Sequence, residues 1–207
     1  VYGGCPTNRM EVLPWGCDPE IFYKSSDYNR AEYGLRDGVP VIGSVGVHDR
    51  HHKNYPAILK AFSLVLKKID CELYLHTSSG SFDLQAYVEN LGLKGKVIIP
   101  RIYIKDWGIP LEEFRKLYNM FNLYCTASGA EGFNMPIVEA LFCHTPVVAS
   151  DIPVHREVAP LARFAKTYRL MPDSNYFVYV VDPEDLADQI LETLDGDKPR
   201  DKEIEEY

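Results

Sequence analysis

Glu131 and Glu139 are the two side chains from which chemistry can first be argued. Seven residues separate them, within Ser128-Gly129-Ala130-Glu131-Gly132-Phe133-Asn134-Met135-Pro136-Ile137-Val138-Glu139-Ala140-Leu141. Leu123-Tyr124-Cys125-Thr126 precedes this stretch and reads as a buried strand. Asn134 is placed to cap a helix, and Pro136 sits in its first turn, where a missing N–H costs nothing. Ile137, Val138, Ala140 and Leu141 supply a buried face. Strand, short loop and helix together set unpaired amides and a positive dipole end over the carboxyl edge of a sheet. That is an anion site, suited to phosphate or pyrophosphate. Gly132 lets a ligand approach the backbone, and Ser128 and Gly129 stand where a donor would come near. Like charge keeps both carboxylates off the phosphate. Each is better placed to accept hydrogen bonds from hydroxyl groups flanking the anion. An anion between two hydroxyl-bearing groups describes a sugar nucleotide.

A second set of reactive residues is His48-Asp49-Arg50-His51-His52-Lys53-Asn54. It is the densest positive group in an acidic chain. A turn between a first strand and its helix would bring it to the same edge as the Glu131 loop. Lys53 and Arg50 would clamp a diphosphate there. The three histidines lack a metal-ligand pattern around them, so no metal is expected. His76-Thr77-Ser78-Ser79-Gly80 would line the same cleft. His144 and His155 read as structural.

The elements that must position these residues alternate in type. Strands are expected at 39–46, 71–76, 97–100, 123–126 and 146–149, with a last one at 178–181. Helices are expected at about 55–67, 82–91 (ended by Gly92), 111–121, 135–143 and 184–194. Glu11 to Phe22 reads as a short strand and a turn. Short apolar strands alternating with helices give a parallel sheet with helices on both faces, an α/β Rossmann-like domain with its ligand at the carboxyl edge near the switch point. Residues 1–38 read as a linker and N-terminal arm, and 39–207 as the binding domain.

The chain has 207 residues, 46% of them apolar, enough for one good core. Its net charge of −8 argues against general binding to nucleic acid or anionic membranes. Five cysteines without a C-x-x-C pair point to buried thiols in a reducing compartment. No apolar run approaches the length of a membrane span, and no signal peptide is visible. The expected location is cytoplasmic, or peripheral to a membrane in the full-length protein. The first residue is Val1, which suggests a fragment or a processed product.

Glu131-Gly132-Phe133-Asn134-Met135-Pro136-Ile137-Val138-Glu139-Ala140, followed by Cys143-His144-Thr145-Pro146-Val147-Val148-Ala149-Ser150-Asp151, resembles the E-x7-E signature of retaining GT-B glycosyltransferases. It is closest to their family 4 group. The resemblance implies that Glu131 contacts the donor sugar. It implies that the amides of Gly132, Phe133, Asn134 and Met135 hold the pyrophosphate, and that Glu139 binds the ribose. Lys53-Asn54 matches the family's Lys-Gly or Lys-Asn pair, with Lys53 on the diphosphate. The family's Arg after the first strand is replaced by Val47, and Arg50 in a longer loop is the candidate substitute. Arg101 follows the third strand, where related enzymes place base-contacting groups. Val12-Leu13-Pro14-Trp15-Gly16-Cys17-Asp18 resembles the stretch joining the halves of a GT-B enzyme, with Trp15 for the family's Asn. The resemblance thus implies a C-terminal donor domain whose upstream acceptor domain is absent. It implies a nucleotide-diphosphate sugar donor such as a GDP- or UDP-sugar, no metal or other cofactor, and a glycan, lipid or other hydroxyl acceptor reached through the missing domain. A non-catalytic sugar-nucleotide-binding or interaction module is the second reading. A nicotinamide dehydrogenase is excluded, because Gly43-Ser44-Val45-Gly46 lacks the G-x-G-x-x-G fingerprint. An epimerase or phosphorylase is compatible with the fold, but no cofactor-lysine motif for a phosphorylase is visible.

Overall fold

Strand β1 (Val41–Val45) is buried along its whole length and lies at the centre of the sheet. The computed structural model describes residues 8, 10, 11, 13, 15–47, 52–77, 82–100, 109–173 and 176–196. From β1 the chain continues through α1 (Tyr55–Val65), β2 (Glu72–His76), α2 (Leu84–Asn90), β3 (Val97–Ile98), α3 (Leu111–Met120) and β4 (Leu123–Thr126). It then runs through α4 (Met135–Phe142), β5 (Val147–Ser150), α5 (Pro153–Val158), β6 (Arg163–Ala165), β7 (Thr167–Asp173), β8 (Tyr176–Val181) and α6 (Pro183–Asp195). The main sheet has the order β3-β2-β1-β4-β5-β6, and every pairing in it is parallel.

This order has a physical consequence. Crossovers on one side of β1 build outward through β2 and β3, and those on the other through β4, β5 and β6. The connections leaving β1 and β4 therefore diverge. They open a crevice at the carboxyl ends of these two neighbours, where ligands of open α/β sheets bind.

Alternating side chains feed two cores, one on each face of the sheet. Ile42, Leu73, Leu75, Leu123 and Cys125 pack with Leu59 and Phe62 of α1 and Leu186 and Ile190 of α6. Val41, Tyr74, Tyr124 and Ala149 pack with Leu117 and Tyr118 of α3 and Ile137 and Leu141 of α4. Gly43 has a packing reason to lack a side chain: a Cβ there would lie 2.1 Å from the Phe121 ring.

The segment before β1 is packed onto the domain. Phe22 and Leu35 are buried in the second core. A 3-10 turn, Arg30–Tyr33, brings the Arg30 guanidinium to the Met120 carbonyl at 2.6 Å and to Asn122 Oδ1 at 2.8 Å. Among the described residues from Glu11 to Phe22 the structure gives a turn at Asp18–Ile21 and no strand; Val12 and Pro14 of the short strand expected there lie outside the described residues.

The C-terminal region also differs from expectation. The strand expected at 178–181 starts at Tyr176 and does not join the parallel sheet. It pairs antiparallel with β7 in a separate hairpin. The edge it would have taken is filled by β6. Neither β6, β7 nor α5 was expected; β6 and α5, with three and six residues, are short windows for a periodicity. Helix ends fall within two residues of their expected places. Among the described residues, no helix is long and apolar enough to cross a membrane.

Candidate functional site

Lys53 and Glu131 meet at the crevice between β1 and β4. Lys53 Nζ donates to Glu131 Oε1 at 2.5 Å, with both side chains largely shielded from water. The lysine comes from the loop before α1, and the glutamate from the loop after β4. Gly46 makes the approach possible. Its φ is +148°, and a Cβ there would come within 3.2 Å of Lys53 Cε. The stem of Lys53 thus lies across bare backbone at the end of β1. That backbone is fixed in turn: Gly46 N–H donates to the His76 carbonyl at 3.0 Å, and Tyr55 donates its hydroxyl to the Gly46 carbonyl at 3.0 Å.

The loops carrying the two charges are tied together by main chain. Gly129 N–H donates to the His52 carbonyl at 2.7 Å, and the Gly129 carbonyl accepts from Tyr179 N–H of β8 at 2.9 Å. The hairpin is therefore stitched to the loop that carries Glu131.

Helices α1 and α4 both begin at this crevice, and both begin alike. Asn54 and Asn134 occupy the cap positions in left-handed conformation, with φ of 49° and 73°, and neither side chain caps. A proline follows in the first turn of each. By contrast Asp83 and Asp182 cap α2 and α6 with their carboxylates. Asn134 was expected to cap α4, and it does not. Its Nδ2 donates instead to His155 Nε2 at 2.9 Å. His155 Nδ1 lies 2.9 Å from the Ser150 carbonyl, which only accepts, so Nδ1 carries the proton and Nε2 accepts. Burial pushes the His155 pKa down, against the opposing pull of the Ser150 carbonyl and the Glu131 charge.

Ser128 also departs from expectation. It is fully buried, its hydroxyl lies 3.0 Å from Thr126 Oγ1, and its carbonyl accepts from Ser150 Oγ at 2.5 Å. It braces the loop from beneath. Gly132 is exposed, and a Cβ there would meet nothing within 4 Å. Phe133 packs partly against the second core, and Met135 is the first residue of α4.

Glu139 lies on α4, partly buried. The Tyr118 hydroxyl donates to its Oε2 at 2.6 Å. Burial raises the Glu139 pKa, and the bond from Tyr118 lowers it in part. Tyr118 is fully buried, and burial together with the Glu139 charge raises its own pKa well above the ordinary value. Tyr118 was not singled out in the sequence, where it reads as one more apolar-face residue of α3. His76 and Thr77 are buried at the end of β2, with His76 edge-on to Phe114 at 5.2 Å between ring centroids. Arg50, Arg101, His48, His51 and 78–80 lie outside the described residues. Among the described residues no group of three or more His, Cys, Asp or Glu could hold a metal ion.

A family model described as glycosyl transferases group 1 matches residues 25–207. The chain belongs to the glycosyl transferases of group 1. Over 107 residues it is 30% identical to the O-antigen chain mannosyltransferase RfbU of Salmonella typhimurium, covering 52% of this chain and 29% of that one. The group 1 chain thus spans less than a third of that curated relative. Among solved structures it resembles the C-terminal domain of a group 1 family protein (LpcC) from Francisella tularensis. The TM-score is 0.62 at 20% identity, covering 87% of this chain and 89% of that one. It also resembles Anabaena HepE, solved with UDP and glucose, with a TM-score of 0.65 at 18% identity over 97% of this chain and 50% of that one. The fold is the Rossmann-like C-terminal half of a GT-B glycosyltransferase.

Proposed function

We propose that this chain is the donor-binding half of a retaining, family 4-like glycosyltransferase that moves a sugar from a nucleotide-diphosphate donor to an acceptor hydroxyl. The observation that carries this reading is the Lys53–Glu131 pair at the switch point, beside two helix N-termini whose N-cap asparagines do not cap with their side chains. The diphosphate lies against the amides at the start of α4, with Lys53 as its cation; Arg50 is the candidate second cation and Arg101 the candidate base contact, both outside the described residues. Glu131 accepts from hydroxyls of the donor sugar, and Glu139 from those of the ribose. The amides of Gly132, Phe133, Asn134 and Met135 are the pyrophosphate donors. Ser128 contributes by holding their loop.

The chemistry asked of these residues is modest. As the acceptor hydroxyl oxygen bonds to the anomeric carbon, the bond from that carbon to the diphosphate oxygen breaks, its electron pair goes to the leaving diphosphate, and that diphosphate takes up the hydroxyl proton. Positive charge grows on the sugar ring as negative charge grows on the phosphate. Lys53 stabilises the second, and the Glu131 carboxylate lies near the first. Fixed charges in a partly dry cleft do this without reorganising, and no metal or other cofactor is required. The acceptor, a glycan, a lipid or another hydroxyl compound, would be held by an upstream half, at or near a membrane in the full-length enzyme. Anabaena HepE, bound to UDP and glucose, and the Salmonella mannosyltransferase support a sugar-nucleotide ligand.

A second reading, a sugar-nucleotide-binding module without catalysis, rests on Val47. It stands 53% exposed and uncharged just beyond β1, where the related enzymes carry Arg. Titration with nucleoside diphosphates and sugar nucleotides, joined to a transfer assay of the protein with its upstream region, separates the two. Binding with transfer supports the enzyme, and binding without transfer supports the module.

A further inference from the structure

Glu139 is an expensive residue to place where it is. It is partly buried, and among the described residues no cation is paired with it. The hydrogen-bond partner that the structure gives it is the Tyr118 hydroxyl, on Oε2 at 2.6 Å. A carboxylate has about four acceptor positions over two oxygens, and among the described residues this bond is on Oε2 and none is given to Oε1.

Tyr118 is itself held on every side. Its ring is edge-on to Tyr124 at 5.8 Å and to Phe121 at 6.3 Å, and tilted against Phe22 at 6.1 Å. Its carbonyl accepts from Thr145 Oγ1 at 2.7 Å. Thr145 lies just beyond α4, so α3 grips α4 at its end through the Tyr118 backbone and in its middle through the Tyr118 side chain. Phenylalanine would fill the same space and make the same ring contacts. The hydroxyl is what the packing does not need, and it is aimed at one oxygen of one carboxylate.

We propose that Tyr118 is the positioning residue for ribose recognition: its hydroxyl fixes Oε2 of Glu139 so that Oε1 is the oxygen offered to the ribose hydroxyls. The inference rests on the reading of Glu139 as the ribose contact given above. It adds the device that selects the rotamer. A glutamate has three side-chain torsions, and immobilising them before the ligand arrives removes an entropic cost from binding. The same bond favours the ionised carboxylate and offsets in part the burial that favours its protonation. Two thiols and a phenol near it are pushed further toward their neutral forms. Burial pushes the Cys17 and Cys143 thiols up to about 12 and raises Tyr124 well above its usual range. The Arg115 charge is felt at Cys143 and lowers its pKa in part.

The test is the ratio of affinities for a ribonucleoside diphosphate and its 2′,3′-dideoxy counterpart, taken for UDP and for GDP by calorimetry on the 207-residue chain. The parent should prefer the ribose form, and Glu139→Ala should abolish the preference. Tyr118→Phe should cut the preference by roughly 3- to 30-fold and leave the dideoxy affinity unchanged. It should also move the pH at which the preference fades to a higher value, because the donor that favours the ionised carboxylate is gone. Should the phenylalanine variant melt early, Tyr118→Met fills the site with a flexible side chain and carries the same comparison. A parent with no ribose preference overturns the ribose reading of Glu139 and this inference with it. A parent preference that Glu139→Ala removes and Tyr118→Phe leaves intact overturns the Tyr118 role alone. Equal weakening of ribose and dideoxy forms by Tyr118→Phe shows a packing role only, and overturns it too.

Discussion

Lys53 and Glu131 lie 78 positions apart in the chain and touch at 2.5 Å across the carboxyl ends of β1 and β4. On the proposed reading, the cation assigned to the diphosphate is thus paired with the carboxylate assigned to the sugar. Opposite charges at this distance stay partly screened, because both side chains retain some contact with water. On that reading a bound donor would share Lys53 with Glu131. The two residues are therefore expected to respond to mutation in opposite ways.

Lys53→Ala should weaken nucleoside diphosphates by roughly 10- to 150-fold, the worth of a charged hydrogen bond. Nucleosides should be little affected, and the loss should shrink in high salt. Glu131→Gln should do the reverse for the plain diphosphate. With its internal partner uncharged, Lys53 is released to the ligand, and UDP or GDP should bind somewhat more tightly. The sugar nucleotide should lose the advantage it holds over the diphosphate. Calorimetry of both variants with both ligands checks this, and equal effects on nucleosides and diphosphates would remove the phosphate contact from Lys53.

Glu139 should cost stability in the ligand-free protein. Its pKa is raised by burial above the ordinary value of 4.5. The folded state therefore holds its proton more tightly than the unfolded chain does. The resulting stability is fully present below pH 4.5 and is lost as pH rises through the folded value. At pH 7 Glu139→Gln should melt higher than the parent, and the gain should vanish below pH 4.5. Glu139→Ala should weaken nucleoside diphosphates by roughly 10- to 150-fold while leaving inorganic phosphate unaffected. Melting curves across pH test the first statement and titration the second.

His155 should impose the opposite pH dependence. Its pKa is depressed by burial below 6.5, so it contributes stability above that pH which is lost as pH falls through the folded value. Protonation would also turn Nε2 into a donor facing Asn134 Nδ2. Between pH 7.5 and 5.5 the parent should therefore lose more thermal stability than His155→Gln. His76, depressed by burial in the same direction, is present in both proteins and cancels in the comparison. Identical pH slopes would contradict the assignment.

Two glycines should separate fold from function. Gly43→Ala drives a Cβ to 2.1 Å from the Phe121 ring in a packed core, and should cost about 1–3 kcal/mol of stability. Gly132→Ala adds a methyl group into open space and should leave the melting temperature unchanged. It should weaken sugar nucleotides, because the methyl group occupies the approach to the loop amides. Chemical denaturation and titration of the two variants check both halves of the contrast.

Much of this arrangement was legible in the sequence, and the reasons differ by element. Strands β1, β2 and β4 and helices α1, α4 and α6 announce themselves through sustained apolar patterns, and Pro136 marks the start of α4. The site's main charges could be placed because each sits at a strand end, where the parallel topology leaves no choice of edge. What was hidden depends on contacts between distant segments. Asn134 has the chemistry of a cap, and nothing local says that His155, 21 residues on, claims its side chain. Tyr118 looks like any aromatic on an apolar helix face, and its purpose appears only when α3 is laid against α4. Ser128 reads as a loop hydroxyl near a ligand until β5 brings Ser150 beneath it. The hairpin β7–β8 escaped because Val178-Tyr179-Val180-Val181 fits a buried parallel strand as well as an antiparallel one.

The central claim is that this domain binds a nucleotide-diphosphate sugar through Lys53, Glu131 and Glu139. It is tested most directly by calorimetric titration of the 207-residue chain with UDP, GDP and their sugar derivatives, alongside Lys53→Ala and Glu139→Ala. The account predicts a dissociation constant for at least one nucleotide between about 1 mM and 1 μM, or roughly −4 to −8 kcal/mol, with each substitution weakening it at least tenfold. Absence of binding by every nucleotide, or binding that both substitutions leave unchanged, would contradict it.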